Sequence, residues 1–207
     1  MMAPRSTGLA LVLMAVAANA AASEGFQVEF TVQLKRGQTD TFVVEVHPEW
    51  APLAAARFGE LIDQNFYDGC RFFRVISGFM AQFGIHGNPK ISAEWRDNKI
   101  KDDPVKHSNE PYTMTFATSG KDSRTTQLFI NFVDNSRLDG MDFAPFAKVI
   151  SGTDVVDQIN AKHGETPAQG RIQSEGNRYL KREFPNLSYI VKARRVVADA
   201  GAEGAEL

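Results

Sequence analysis

From Gln27 to Leu34 polar and apolar residues alternate, with Val28, Phe30, Val32 and Leu34 on one side, which is the period of a half-buried strand. A turn containing Gly37 leads into TFVVEV (41–46), so the first two strands are expected to form a hairpin. The period then changes. In HPEWAPLAAARFGELIDQNFYDG (47–69), Pro52 suits a first helical turn, Ala54, Phe58, Leu61 and Ile62 recur at helical spacing, and Gly69 lies beyond the end as a stop. Short strands are predicted in RFFRVI, FMAQF, YTMTFAT, QLFINF, FAKVI and YIVKARRV. A second helix is predicted in SGTDVVDQINA, capped by Thr153 and turning Val155, Val156 and Ile159 inward.

Two helices and about eight strands without βα alternation argue against a doubly wound parallel sheet. The expected class is mainly β, a closed and mainly antiparallel β-barrel, since closure removes exposed strand edges. Two long segments, 84–111 and 163–186, are rich in Gly, Pro, Asn and charge and read as loops that cover a groove.

The first residues follow a different logic. Arg5, the apolar run LALVLMAVAA and the small residues after it make a signal peptide over 1–22, with cleavage after Ala20 or Ala22. The run is too short to span a bilayer, which takes roughly 20 residues. No stable membrane association is therefore expected once the signal is removed. Residues 23–198 are left as one folded domain and 199–207 as a flexible acidic tail, with the protein placed in the secretory pathway (extracellular, endoplasmic reticulum lumen or periplasm).

Composition narrows the function. Lys and Arg total 23 against 25 acidic residues, so there is no basic excess of the kind nucleic-acid binding requires. Cys70 is the single cysteine; it allows no internal disulfide and reads as a buried apolar side chain. The four histidines lack metal-ligand spacing, and neither a phosphate-cradling glycine loop nor a nucleophile elbow occurs. The expected chemistry uses no metal and no cofactor.

A period of two then groups the polar residues of the apolar strands. Phe72, Arg74 and Ile76 are expected on one face of RFFRVI, Met80 and Gln82 on one face of FMAQF, and Gln127 with Phe129 in QLFINF. Side by side, these strands would present an apolar pocket rimmed by guanidinium and amide groups, the makeup of a binding site.

FFRVISGFMAQFG, TMTFATSGKDSRTTQLFINF and NSRLDGMDFAPFAKVI, in that order, resemble the cyclophilins, the barrel-shaped peptidyl-prolyl cis/trans isomerases, with similarity from about Phe26 to Val197. The resemblance implies a closed eight-stranded antiparallel β-barrel capped by two α-helices, with the active groove on its outer surface, and an enzyme that accelerates rotation about X-Pro bonds and assists protein folding. It implies Arg74 as the catalytic residue, Phe79, Met80, Phe129 and Leu138 as the proline pocket, Gln82 and Gln127 as polar groove residues, and Ala117 and Thr118 as the strand that holds the substrate backbone. The implied partners are proline-containing polypeptides, bound by a monomer. Ser77 and Ile85 depart from the family pattern. Arg137 stands where the best-known members have Trp, so weak cyclosporin binding is expected, and Phe143 stands near the place of a groove histidine. A barrel that binds proline peptides or acts as a chaperone without catalysis is the alternative.

Overall fold

The computed structural model describes residues 24–197, so the expected signal peptide and acidic tail lie outside the described residues. The alternating segment becomes β1 (Phe26–Lys35), burying Val28, Phe30, Val32 and Leu34. It pairs with β2 (Gln38–Val46) across a turn at Gly37, where φ is 78° and glycine carries no steric penalty. β3 (Arg74–Ile76), β4 (Met80–Phe83), β5 (Thr113–Phe116), β6 (Leu128–Asn131), β7 (Pro145–Ser151) and β8 (Tyr189–Arg195) complete one sheet in the order β3-β4-β6-β5-β7-β2-β1-β8. Every pairing is antiparallel.

The sheet is open and curled, a half-barrel, which corrects the expected closed eight-stranded barrel. Its outermost strands, β3 and β8, share no ladder. RFFRVI explains why, because only its last three residues are strand. Before them the chain meets β8 through a single bridge, Arg71 with Tyr189. The expected alternation also fails there: Phe72 joins the main core, Phe73 packs in a separate cluster on the other side, and Arg74 follows it outward into a groove. Phe72 and Arg74 therefore do not share a face, and the irregular backbone ends the ladder.

The helices outnumber the expected two. α1 (Pro52–Asp63) buries Ala54, Phe58, Leu61 and Ile62 as its spacing requires. α2 (Pro89–Arg96) lies in the first expected loop; Asn88 Oδ1 accepts the Lys90 N–H, and Pro89 opens the helix. α3 (Thr153–Asp157) is short, and Gly152 at φ 76°, rather than Thr153, occupies its N-cap position. α4 (Gln169–Glu175) and α5 (Asn177–Glu183) form a hairpin in the second expected loop.

The concave face of the sheet holds the main core, from Phe30 and Phe42 to Phe58, Phe83 and Phe146. A second apolar cluster, Phe73, Ile85, Ile172, Tyr179, Leu180, Phe184 and Leu187, fastens the α4–α5 hairpin to the sheet. Cys70 is fully buried, and burial pushes its thiol well above the ordinary range.

Candidate active site

β3, β4, β6 and β5 are neighbours, and their register sets one row across them: Arg74 opposite Gln82, Gln82 opposite Phe129, Phe129 opposite Thr115. Directly paired residues share a face, so Arg74, Gln82 and Phe129 stand together. One step along, Ile76 faces Met80. Ala81 and Ile130, the intervening residues, belong to the main core, whereas Met80, Phe129 and Leu138 form a small cluster of their own. The sheet thus buries apolar residues on both faces here, and the second face is a groove of about 550 Å³.

All nine residues singled out from the sequence line this groove: Arg74, Phe79, Met80, Gln82, Ala117, Thr118, Gln127, Phe129 and Leu138. Arg74 Nη1 donates to Gln82 Oε1 at 3.3 Å, and Gln82 Nε2 donates to Gln127 Oε1 at 2.8 Å. That relay fixes both amides. Beside it, Met80, Phe129 and Leu138 make an apolar floor against which Ile76, Phe79, Ala117 and Phe143 pack. Phe143 meets Phe129 edge-on, with ring centroids 5.7 Å apart. Ala117 N–H donates to Gln127 O, which ties the edge carrying Ala117 and Thr118 to the start of β6.

The apolar wall rests on a buried polar network. Leu138 lies in a short 3-10 turn, Ser136–Met141. Asn135 Nδ2 reaches both Phe79 O (2.9 Å) and Asn131 Oδ1 (2.8 Å), and Asn109 Nδ2 donates to Asp139 Oδ1 (2.7 Å) and Phe143 O (2.8 Å). Burial alone would raise the Asp139 carboxyl, but hydrogen bonds from Ser108 and Asn109 outweigh it and hold the group below the usual carboxylate range. Fixed backbone at Phe79 and Phe143 follows, and with it a preformed pocket.

Sequence reasoning missed part of the lining: Arg96, Asp97 and Lys99 near the end of α2, Ser119, Ser123 and Thr125, and Gln169 and Gln173 from α4. It also missed Glu165, whose Oε2 accepts from Arg74 Nε at 3.0 Å. The Asn88-Pro89 pair was a readable sign of α2. Nothing local marks Glu165.

Here an antiparallel sheet carries a guanidinium–amide relay beside an apolar pocket. The chain belongs to the cyclophilin family: the family model described as "Cyclophilin type peptidyl-prolyl cis-trans isomerase/CLD" matches residues 29–177. A peptidyl-prolyl cis-trans isomerase of Acinetobacter baylyi is 38% identical over 128 residues, covering 56% of this chain and 64% of that protein. Peptidyl-prolyl cis-trans isomerase A of Dickeya dadantii is 37% identical over 53% of this chain and 60% of its own length. The chain thus spans somewhat less than two thirds of these two relatives. A probable peptidyl-prolyl cis-trans isomerase of Brucella abortus is 33% identical over 70% of this chain and 78% of its length. In fold, a cyclophilin-type peptidyl-prolyl cis-trans isomerase of Cryptosporidium parvum superposes with a TM-score of 0.62 at 15% identity, over 84% of this chain and 99% of that one.

Proposed function

We propose that the protein is a peptidyl-prolyl cis/trans isomerase acting on proline-containing polypeptides, with Arg74 as its catalytic residue. The observation that carries this reading is the Arg74 guanidinium, hydrogen-bonded to Gln82 beside the Met80–Phe129–Leu138 pocket in one groove. An X-Pro amide resists rotation because nitrogen lone-pair donation gives the C–N bond double-bond character, a barrier of about 18–20 kcal/mol. A pocket that grips the proline ring lets the preceding carbonyl turn. As it turns, the nitrogen pyramidalises and its lone pair becomes a hydrogen-bond acceptor. A guanidinium, always charged, donates to that lone pair without any proton being abstracted.

The size of the effect fits this equipment. Uncatalysed exchange takes tens to hundreds of seconds. A gain of roughly 10²–10⁵-fold corresponds to about 3–7 kcal/mol, within the range of one charge-assisted hydrogen bond plus positioning. Phe79, Met80, Phe129 and Leu138 hold the ring, Gln82 and Gln127 hold the arginine and the chain, and the backbone at Ala117 and Thr118 aligns the peptide. Arg74→Ala is expected to lower kcat/KM for an X-Pro peptide at least about tenfold, because the lost bond is made to the transition state, with the circular dichroism spectrum unchanged. A folded variant of native activity removes Arg74 from the mechanism. A native protein that binds proline peptides without accelerating exchange favours a non-catalytic peptide-binding role instead.

The protein acts in the secretory pathway, a reading supported by the leader pattern around Arg5 and the small residues near Ala20 and Ala22. Intact mass of exported protein is expected to show an N-terminus at Ala21 or Ser23. Protein that retains Met1 in a membrane fraction overturns the targeting.

A further inference from the structure

Arg74 makes two side-chain hydrogen bonds, and they leave the site in different directions. Nη1 goes to Gln82 within the sheet, while Nε goes to Glu165, a residue 91 positions further along the chain. Among the described residues Nη2 makes no hydrogen bond. Because a guanidinium is rigid and planar, anchoring two of its nitrogens fixes the plane and the direction of the third. We infer that Glu165 is a positioning residue for Arg74, delivered by the turn at 163–166 that leads into α4. The inference rests on the isomerase reading above.

The structure explains how Glu165 comes to this place. Val75, next to Arg74 on outermost strand β3, donates its N–H to Gly164 O at 3.0 Å. The segment 163–166 therefore lies against the strand that carries the arginine. Its own turn is closed by Gly164 N–H to Ala161 O and Thr166 N–H to His163 O. Downstream, Ala168 N–H donates to the Tyr179 hydroxyl, and Ile172, Tyr179 and Leu180 are buried against Phe73 and Ile85. Asn177 binds the backbone of Gly69 and Gly87. Arg171 is gripped by Glu175 and Glu183 and lies 4.0 Å above the Tyr179 ring. Glu165 thus projects from backbone fastened on both sides, which keeps its carboxylate within reach of Arg74.

Energetics assign the contact to function. The Glu165 side chain is 67% exposed, and an ion pair so open to water adds little to folding. Arginine, however, has large rotamer freedom, and a catalytic donor must be held within a fraction of an ångström of its productive place. Glu165 restricts that freedom before the substrate arrives, and its exposure leaves the guanidinium most of its field.

The test uses the full chain. Glu165→Ala is expected to lower kcat/KM for an X-Pro peptide by about three- to tenfold, mostly in kcat, with thermal midpoint unchanged. Glu165→Gln, which keeps an acceptor oxygen, recovers most of the loss. The ¹⁵N–¹H resonance of Arg74 Nε, protected from solvent exchange in the native protein, is expected to broaden or vanish in Glu165→Ala. A double-mutant cycle decides the route, because in an Arg74→Ala background Glu165→Ala is expected to change nothing further. Equal losses in both backgrounds, or a Glu165→Ala enzyme of native kcat, overturn the inference. An inactive native protein refutes the isomerase reading instead, and the Arg74 resonance still reports whether Glu165 holds the guanidinium.

Discussion

Two guanidinium groups approach the Phe79 ring, with Arg74 Cζ 5.9 Å and Arg137 Cζ 4.7 Å from its centroid. The nearer one sits in cation–π range and occupies the edge where the family resemblance places a tryptophan. Arginine offers an apolar stem but ends in a hydrated charge, whereas an indole offers a broad apolar face and one donor. Losing most of such a contact costs on the order of 1–3 kcal/mol, or about one to two decades in affinity. Cyclosporin is therefore expected to bind this protein weakly, and Arg137→Trp to strengthen binding by about ten- to a hundredfold. Isomerisation should change less than about threefold, because the bond to the twisted amide is assigned to Arg74. Calorimetric titration of both variants, with exchange kinetics in parallel, checks this; tight binding by the native protein sinks it. At this scale the groove was readable in the strands, since Arg74 and Gln82 are polar residues inside apolar runs. Glu165 was not, because an acid in a polar segment looks like any solvated surface.

Elements show why some of the fold escaped the reading. The segments 84–111 and 163–186 carry Gly, Pro and charge, and composition alone makes them loops, yet they hold α2, α4 and α5. Each of these helices is short, and α4 and α5 run seven residues apiece, too few for hydrophobic periodicity to emerge or for a helix to stand alone in water. What stabilises them is tertiary: Ile172, Tyr179 and Leu180 find their cover only on Phe73 and Ile85. Gly176 joins the two helices at φ 60°, where a Cβ would lie 2.1 Å from Gly87 O, so glycine marks a close approach here rather than a flexible loop. The buried amide network beneath the pocket was equally hidden. Asn109, Asn131 and Asn135 sit in a polar loop, a strand and a turn, and only the fold brings them into one chain of hydrogen bonds. Its role follows from burial, since each of the three is at most 2% exposed and an unpaired amide there would be costly.

Across the whole molecule, the eight strands appear in the order the hydrophobic pattern predicts, while closure of the sheet does not, because closure depends on how β3 meets β8 and not on any period. Backbone hydrogen bonds (Phe72 N–H to Ser188 O, Ile190 N–H to Cys70 O) and the buried Arg71 side chain, 4.7 Å above the Tyr189 ring, bridge the gap. Just beyond β4, next to Gly87 whose carbonyl accepts the Asn177 N–H at the start of α5, His86 packs 5.1 Å from Phe66. His86 Nδ1 accepts the Asn88 N–H at 2.9 Å, a bond that requires the neutral ring. Burial lowers the His86 pKa, with Asp68 pulling weakly the other way. The sign follows from linkage. Once the pH falls to the unfolded value of about 6.5, the unfolded chain takes up a proton that the folded one resists, so stability declines from there until the folded pKa is passed. Native protein is therefore expected to lose resistance to urea as the pH falls below about 7. His86→Gln, which keeps an acceptor for Asn88 but cannot titrate, should show a shallower decline over the same window. Urea midpoints for both proteins at several pH values measure the two slopes. Identical slopes would place the acid sensitivity elsewhere, whereas a flattened slope in the variant would tie it to the segment that fastens the α4–α5 hairpin to the sheet.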